Sequence, residues 1–115
     1  MKSQNLHALI LGGGIAGPAL ALLLKKAGVS SVVYEAHGRL EDVGGGFTIA
    51  PNGMNVLEEI GLAQSFVDSG AKVSEFCFRN QSGNSPARFR AGDVEKYRWP
   101  SVATSRTALH RILIA

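Results

Sequence analysis

Three glycines near the start of the chain have the spacing of a pyrophosphate-binding turn. They form the pattern Gly12-x-Gly14-x-x-Gly17, with an apolar segment before it and a helix-forming segment after it. The first glycine permits a tight turn, the second lets the backbone approach phosphates, and the third lets a helix pack on a strand. A helix that begins there directs unpaired N–H groups toward an anion. We therefore prefer a phosphate-binding turn to a glycine turn that only reverses the chain.

A carboxylate follows at the distance that such a turn requires. Glu35 lies 18 residues beyond Gly17, at the end of the next apolar segment. There it can accept hydrogen bonds from both ribose hydroxyls of an adenosine. It would repel a 2′-phosphate, so the site disfavours NADP. The alternative is a solvated acid at a strand end, and the spacing favours the ribose role.

Two arginines and a second glycine run could complete an anion site. Arg39 could neutralise a nearby phosphate, and glycines 44–46 could let the chain lie close over a flat ring or a ribityl chain. Arg106, just inside the last predicted helix, could hold a pyrophosphate or a ribityl hydroxyl. A surface arginine and a mobile loop are the alternatives for Arg39 and the glycine run. For Arg106 a helix-surface role is equally plausible on residue type alone.

The remaining reactive side chains predict no catalytic group. His7, His37 and His110 are scattered, and we expect them to fill strand, loop and helix positions rather than act as ligands or bases. Cys77 alternates within a predicted strand and is expected to be an inert, partly buried thiol. The sequence contains no Ser–His–Asp set, carboxylate pair or metal-ligand spacing.

The elements that must position these residues alternate between strand and helix patterns. Strands are predicted at residues 6–11, 31–35, 47–49, 73–79 and 87–91. Helices are predicted at residues 19–27, as a short helix within 51–62, at 63–69 and at 106–115, the last capped by Thr104 or Ser105. Residues 97–100 are expected to form a loop. The fold class is therefore α/β, a strand–helix–strand unit with an added helical segment and an antiparallel hairpin made by the last two strands.

Composition narrows the class of protein. A chain of 115 residues is at most one domain of ordinary size, and its single cysteine excludes an intrachain disulfide. We expect a reducing, cytoplasmic location. Residues 71–115 carry eight basic and three acidic side chains, but these are scattered, which disfavours nucleic-acid binding. The uncharged stretch at 6–24 is interrupted by four glycines and Pro18, which disfavours a signal peptide or a membrane helix.

The pattern as a whole resembles the N-terminal part of FAD-dependent aromatic-ring monooxygenases, the group that contains p-hydroxybenzoate hydroxylase and salicylate hydroxylase. The residues that carry the resemblance are 9–28, 32–36, 42–62 and 105–113. The glycine motif with its acid is shared by all two-dinucleotide-fold flavoproteins and by many NAD enzymes. The run Gly-Gly-Gly-Phe-x-x-x-Pro-Asn-Gly, which begins at Gly44, is monooxygenase-like. It disfavours an amine oxidase and an NAD-dependent dehydrogenase.

The resemblance implies a cofactor and a role for each motif. FAD would be bound, and the full-length enzyme would use NAD(P)H and oxygen to hydroxylate a small aromatic or heteroaromatic substrate. The glycine motif would hold the FAD pyrophosphate, Glu35 the adenosine ribose, the two arginines the phosphate and ribityl region, and the second glycine run the flavin side. The residues expected to contact the cofactor are Gly12, Gly14, Ile15, Ala16, Gly17, Glu35, Ala36, Arg39, Gly45, Gly46, Thr48 and Arg106.

The departures from the family define a partial domain. Its later Gly-Asp and Asp-Gly motifs and its substrate-binding sheet are absent from these 115 residues. We therefore expect residues 1–115 to be a single partial FAD- or NAD(P)-binding domain with an incomplete Rossmann-like βαβ unit, truncated from a larger flavoprotein and inactive alone. We expect unfinished apolar surface beyond residue 70, and an exposed C-terminal helix through which a homo-oligomer could form. The alternatives are a non-catalytic nucleotide-binding or interaction module and a fragment of another flavin oxidoreductase, such as an amine oxidase.

Overall fold

The computed structural model describes residues 5–38 and 44–115. These residues form a mixed α/β fold with small sheets. The elements in chain order are β1 (His7–Leu11), α1 (Ala16–Lys26), β2 (Ser30–Tyr34), β3 (Gly46–Ile49), α2 (Pro51–Glu59), α3 (Ala63–Ser69), β4 (Ala71–Val73), β5 (Glu75–Phe78), β6 (Ala87–Arg90), α4 (Val94–Tyr97), β7 (Ser101–Ser105) and α5 (Arg106–Ile114).

The first unit is a parallel strand pair joined by a helix, as the sequence predicts. β1 pairs with β2 in parallel, with Leu9 opposite Val32. α1 is rich in alanine and leucine, the strongest apolar helix formers, and it begins at Ala16, three residues earlier than predicted. It ends before Gly28, whose φ of 76° is the left-handed conformation that glycine adopts at helix ends. The unit therefore presents its glycine turn at the carboxyl end of β1.

A second, antiparallel sheet has the strand order β3-β7-β4. Its central strand, β7, was not predicted from the sequence. The segment Ser-Val-Ala-Thr-Ser lacks the alternation of a half-buried strand, and it follows a proline. Tertiary pairing on both edges decides its conformation, because β7 lies opposite Ile49 on one side and Val73 on the other. The sheet leads directly into α5.

The core lies where α2, α3 and α5 meet β7. Its buried residues are Met54, Leu57, Ala63, Phe66, Val102, Leu109 and Leu113. The expectation that the C-terminal helix is exposed is therefore wrong. Leu109 and Leu113, one turn apart on α5, are 1% and 3% exposed because α5 packs within the chain against α1, α3 and β7. Ile114 alone among its large apolar side chains is exposed.

The hairpin predicted near residue 80 is confirmed, as β5 paired antiparallel with β6. α4 was missed, although Asp93 caps it by accepting hydrogen bonds from the N–H groups of Glu95 and Lys96. Cys77 is exposed on this hairpin and not partly buried as expected, because both strands are open to solvent along their length. A hydrogen bond from Ser85 lowers the pKa of the Cys77 thiol.

Apolar surface is exposed in two regions. Phe76, Phe78 and Phe89 cluster on the hairpin, as expected for the stretch beyond residue 70. Leu9 and Leu11 of β1 are more exposed still, at 65% and 86%, so apolar surface is also open before residue 70. They lie opposite Val32 and Tyr34 on the face of the parallel pair that turns away from buried Ile10.

Within the described residues, no helix has the length and hydropathy needed to cross a membrane.

Candidate functional site

The glycine turn between β1 and α1 is built so that only glycine fits its last position. Gly12 adopts a φ of 113°, and its N–H donates to the Tyr34 carbonyl oxygen at 2.7 Å. A Cβ atom on Gly17 would overlap the Gly12 carbonyl oxygen. The first turn of α1 therefore lies directly against the strand end. No side chain among the described residues caps that helix, which leaves its N–H groups free for an anion.

Glu35 contacts the same turn from the end of β2. Its Oε2 accepts the Gly13 N–H at 2.7 Å, and its Oε1 accepts the backbone N–H and the ring Nδ1 of His37, each at 3.0 Å. Together, the bonds from His37 and then from Gly13 lower the pKa of Glu35 from 4.5 to about 2. The carboxylate is therefore ionised at every physiological pH, and it is held beside the glycine turn.

Arg106 lies beside the same turn, at Gly14. The backbone N–H of Arg106 donates to the Gly45 carbonyl oxygen at 3.2 Å, where the second glycine run meets the start of α5. A Cβ on Gly14 would lie 3.0 Å from Arg106 Nη2, and one on Gly44 would lie 3.0 Å from its Cδ. Ser105 caps α5, as predicted, by accepting the Ala108 N–H at 3.1 Å. The two glycine runs meet at this arginine.

The other predicted contact residues lie on the elements around the turn. Ile15 precedes α1 and Ala16 begins it, while Ala36 follows Glu35 in a bend. Gly46 and Thr48 belong to β3, where they pair with Ser105 and Ala103 of β7. Arg39 lies outside the described residues. The structure thus gathers the glycine turn, Glu35 and Arg106 at one place, with β3 joined to them through β7.

Sequence reasoning missed two contacts at this site. His37 holds the Glu35 carboxylate, and His110 of α5 approaches the Gly13 carbonyl oxygen with its Nε2 at 2.5 Å. Both histidines were expected to be fillers. A signal was present for His110, since it lies four residues after Arg106 and so on the same face of a helix. Nothing in the sequence reveals that this face meets a turn 97 residues earlier.

The arrangement suits a ligand with anionic phosphates joined to a sugar. The open helix N-terminus and the Arg106 guanidinium favour negative charge, and the ionised Glu35 favours hydroxyl donors. Because Gly14 has no side chain, its backbone beside Arg106 Nη2 can be approached by a ligand. These groups fit the pyrophosphate and ribose of a dinucleotide.

Comparisons with known proteins agree with that chemistry. The model of the FAD binding domain family matches residues 5–115. The chain is 34% identical to 3-amino-4-hydroxybenzoate 2-monooxygenase of Streptomyces cremeus, over 98% of this chain and 29% of that protein. It is 36% identical to FAD-dependent monooxygenase pynG of Aspergillus niger, over 96% of this chain and 26% of that protein.

A solved structure extends the likeness to the fold. Klebsiella pneumoniae HpxO, complexed with FAD and uric acid, superposes with a TM-score of 0.82 at 25% identity, covering 95% of this chain and 28% of that one. The chain thus spans less than a third of the length of these relatives. Because the family model covers all but the first four residues, the chain belongs to the FAD binding domain family.

Proposed function

We propose that this chain is the FAD-binding N-terminal portion of a flavoprotein monooxygenase that hydroxylates a small aromatic or heteroaromatic ring with NAD(P)H and oxygen. The observation that carries the proposal is the junction at the glycine turn, where the Gly13 N–H meets the ionised Glu35 and Arg106 lies beside Gly14. Two of the relatives, from Streptomyces cremeus and Aspergillus niger, are named as monooxygenases. FAD would supply the redox chemistry, and this chain's residues would bind and orient it.

Each part of FAD has a proposed set of contacts. The pyrophosphate would lie on Gly12, Gly14 and Gly17 and on the N–H groups at the start of α1, including those of Ile15 and Ala16. The adenosine ribose would bind Glu35, with Ala36 beside it. The proposed contacts of the phosphate, ribityl and flavin region are Arg39, Gly45, Gly46, Thr48 and Arg106.

We also propose that residues 1–115 form one partial domain built on a Rossmann-like βαβ unit. The parallel pairing of β1 with β2 around α1, and the glycine turn at the carboxyl end of β1, support this assignment. NAD(P)H need not bind the glycine turn, because FAD would occupy it. The single cysteine supports a reducing, cytoplasmic location.

Titration of the purified chain with FAD tests the proposal. Quenching of flavin fluorescence should report saturable binding, and Glu35→Gln should weaken it by about tenfold or more, because the ribose hydroxyls lose a charged acceptor. Glu95→Gln, which alters an exposed acid on α4, is the matched control and should bind FAD like the wild type.

Two outcomes would count against the proposal. Absence of saturable FAD binding would refute the proposed cofactor. Stronger binding of NAD than of FAD would favour a site for a different nucleotide. Steady oxidation of NAD(P)H coupled to hydroxylation by these 115 residues would refute the part of the proposal that calls them incomplete.

A further inference from the structure

His110 occupies a place on α5 that the binding proposal does not use. It lies one helical turn after Arg106, is half-buried, and brings its Nε2 to 2.5 Å from the Gly13 carbonyl oxygen. A carbonyl oxygen only accepts hydrogen bonds, so Nε2 must carry the proton that is shared. The histidine is therefore a donor to the glycine turn.

The Gly13 residue is held on both of its backbone groups. Its N–H donates to Glu35 Oε2 at 2.7 Å, and its carbonyl accepts from His110. That carbonyl shares a planar trans peptide with the Gly14 N–H, so the two groups point in opposite directions. Fixing the carbonyl toward His110 therefore fixes the Gly14 N–H on the other side of the peptide.

We propose that His110 is a positioning residue that orients the Gly13–Gly14 peptide for pyrophosphate binding. Glycines flank this peptide on both sides and leave it free to rotate, since they lack the side-chain restraints of other residues. Rotation would turn a carbonyl oxygen, which repels phosphate, to where the Gly14 N–H should be. This inference rests on the proposed binding of FAD at the turn.

A measurement on the wild-type chain tests the donor role directly. Nitrogen-15 NMR of the histidine rings distinguishes the two neutral tautomers, and His110→Gln identifies the His110 signals by their disappearance. We expect His110 to carry its proton on Nε2 in the neutral state. A neutral ring protonated on Nδ1 would overturn the proposal, because Nε2 could not then donate to Gly13.

A pair of variants separates the hydrogen bond from packing. His110→Gln keeps an N–H donor at the position of Nε2, whereas His110→Met fills similar space without one. We expect the Met variant to bind FAD about three to ten times more weakly than the wild type, and the Gln variant to regain most of that loss. His7→Met is the control, since His7 pairs with Ser30 at the far end of β1.

Comparing FAD binding by the wild type and by the His110 variants distinguishes this inference from the proposed function. If the wild type binds FAD but His110→Met binds it equally well, or if both substitutions weaken binding equally, His110 does not act through this donor. If the wild type itself does not bind FAD, the proposed function fails, while the tautomer measurement still reports on the contact. Thermal unfolding of each FAD-free variant shows whether a change in affinity reflects lost folding.

Discussion

At the scale of single residues, Glu35 shows how local geometry sets charge. Two backbone N–H groups and one imidazole nitrogen converge on its carboxylate, from Gly13 and His37. Hydrogen bonds to the ionised form stabilise it and so lower the pKa. The spacing motif predicted where this acid lies, but not the contacts that hold it, since they depend on how the loop after β2 folds back.

The pH dependence of stability follows from that shift. The pKa of Glu35 is about 2 in the folded chain, against an ordinary value of 4.5. Because the unfolded chain binds this proton more readily, the stability contributed by the ionised group is complete above pH 4.5 and is lost as pH falls toward 2. NMR titration of the carboxyl carbon should give a midpoint near 2.

His37→Ala provides the matching control. It should move the Glu35 midpoint upward without restoring the ordinary value, because the backbone N–H of residue 37 still donates. A wild-type midpoint near 4.5 would mean that these bonds do not form in solution.

Gly17 gives a second prediction at this scale. Gly17→Ala should lower the free energy of unfolding by about 1–3 kcal/mol, since the added methyl overlaps the Gly12 carbonyl oxygen and the turn must shift. FAD affinity should fall with it. Denaturant unfolding measures the change, with Gly38→Ala as the control because a Cβ there meets nothing within 4 Å. Equal stability of the two variants would contradict the packing described for the turn.

At the scale of elements, α5 joins the core to the site. One face buries Leu109 and Leu113 against α3 and β7, while Arg106 and His110 reach the glycine turn. The helix itself was predicted from its apolar spacing and its serine cap. Its partners were not, because helical spacing shows which side is apolar and not which element covers it.

Truncation of one buried side chain tests this packing. Leu109→Ala should lower the free energy of unfolding by about 2–5 kcal/mol, because it removes buried contacts and leaves a cavity. Ile114→Ala, at an exposed position of the same helix, should change it by less than about 0.5 kcal/mol. Similar losses in both variants would show that α5 does not pack as described.

The strands show where sequence reasoning succeeds and fails. β1 and β2 are apolar runs beside a glycine motif, and the hairpin strands alternate around a turn-rich segment, so local pattern predicts them. β7 has no such pattern and is a strand because β3 and β4 flank it. Because long-range pairing decides the conformation of β7, its own five residues do not predict a strand.

At the scale of the whole molecule, the parallel pair has one covered face and one open face. Parallel sheets usually have both faces covered. Here Ile10 is buried beneath α1, whereas Leu9 and Leu11 are open to solvent. The described residues therefore present an apolar surface directly beside the proposed cofactor site.

Substitution on the two faces should have unequal effects. Leu11→Lys should leave the free energy of unfolding within about 0.5 kcal/mol and reduce the fluorescence of a bound hydrophobic dye. Ile10→Ala should lower the free energy of unfolding by about 2–5 kcal/mol. Thermal unfolding and dye titration measure both. A large loss of stability with Leu11→Lys would mean that this face is covered in solution.

The contact between His110 and Gly13 also sets an order of events during synthesis. The two residues are 97 positions apart, so the turn is made long before its partner. At usual rates of translation the interval is about 5–20 s. During this interval His110 has not yet been synthesised, so the Gly13 carbonyl oxygen lacks its hydrogen-bond donor. Closing so long a loop also carries an entropic cost. The nascent chain should therefore acquire its full affinity for FAD only after α5 has left the ribosome.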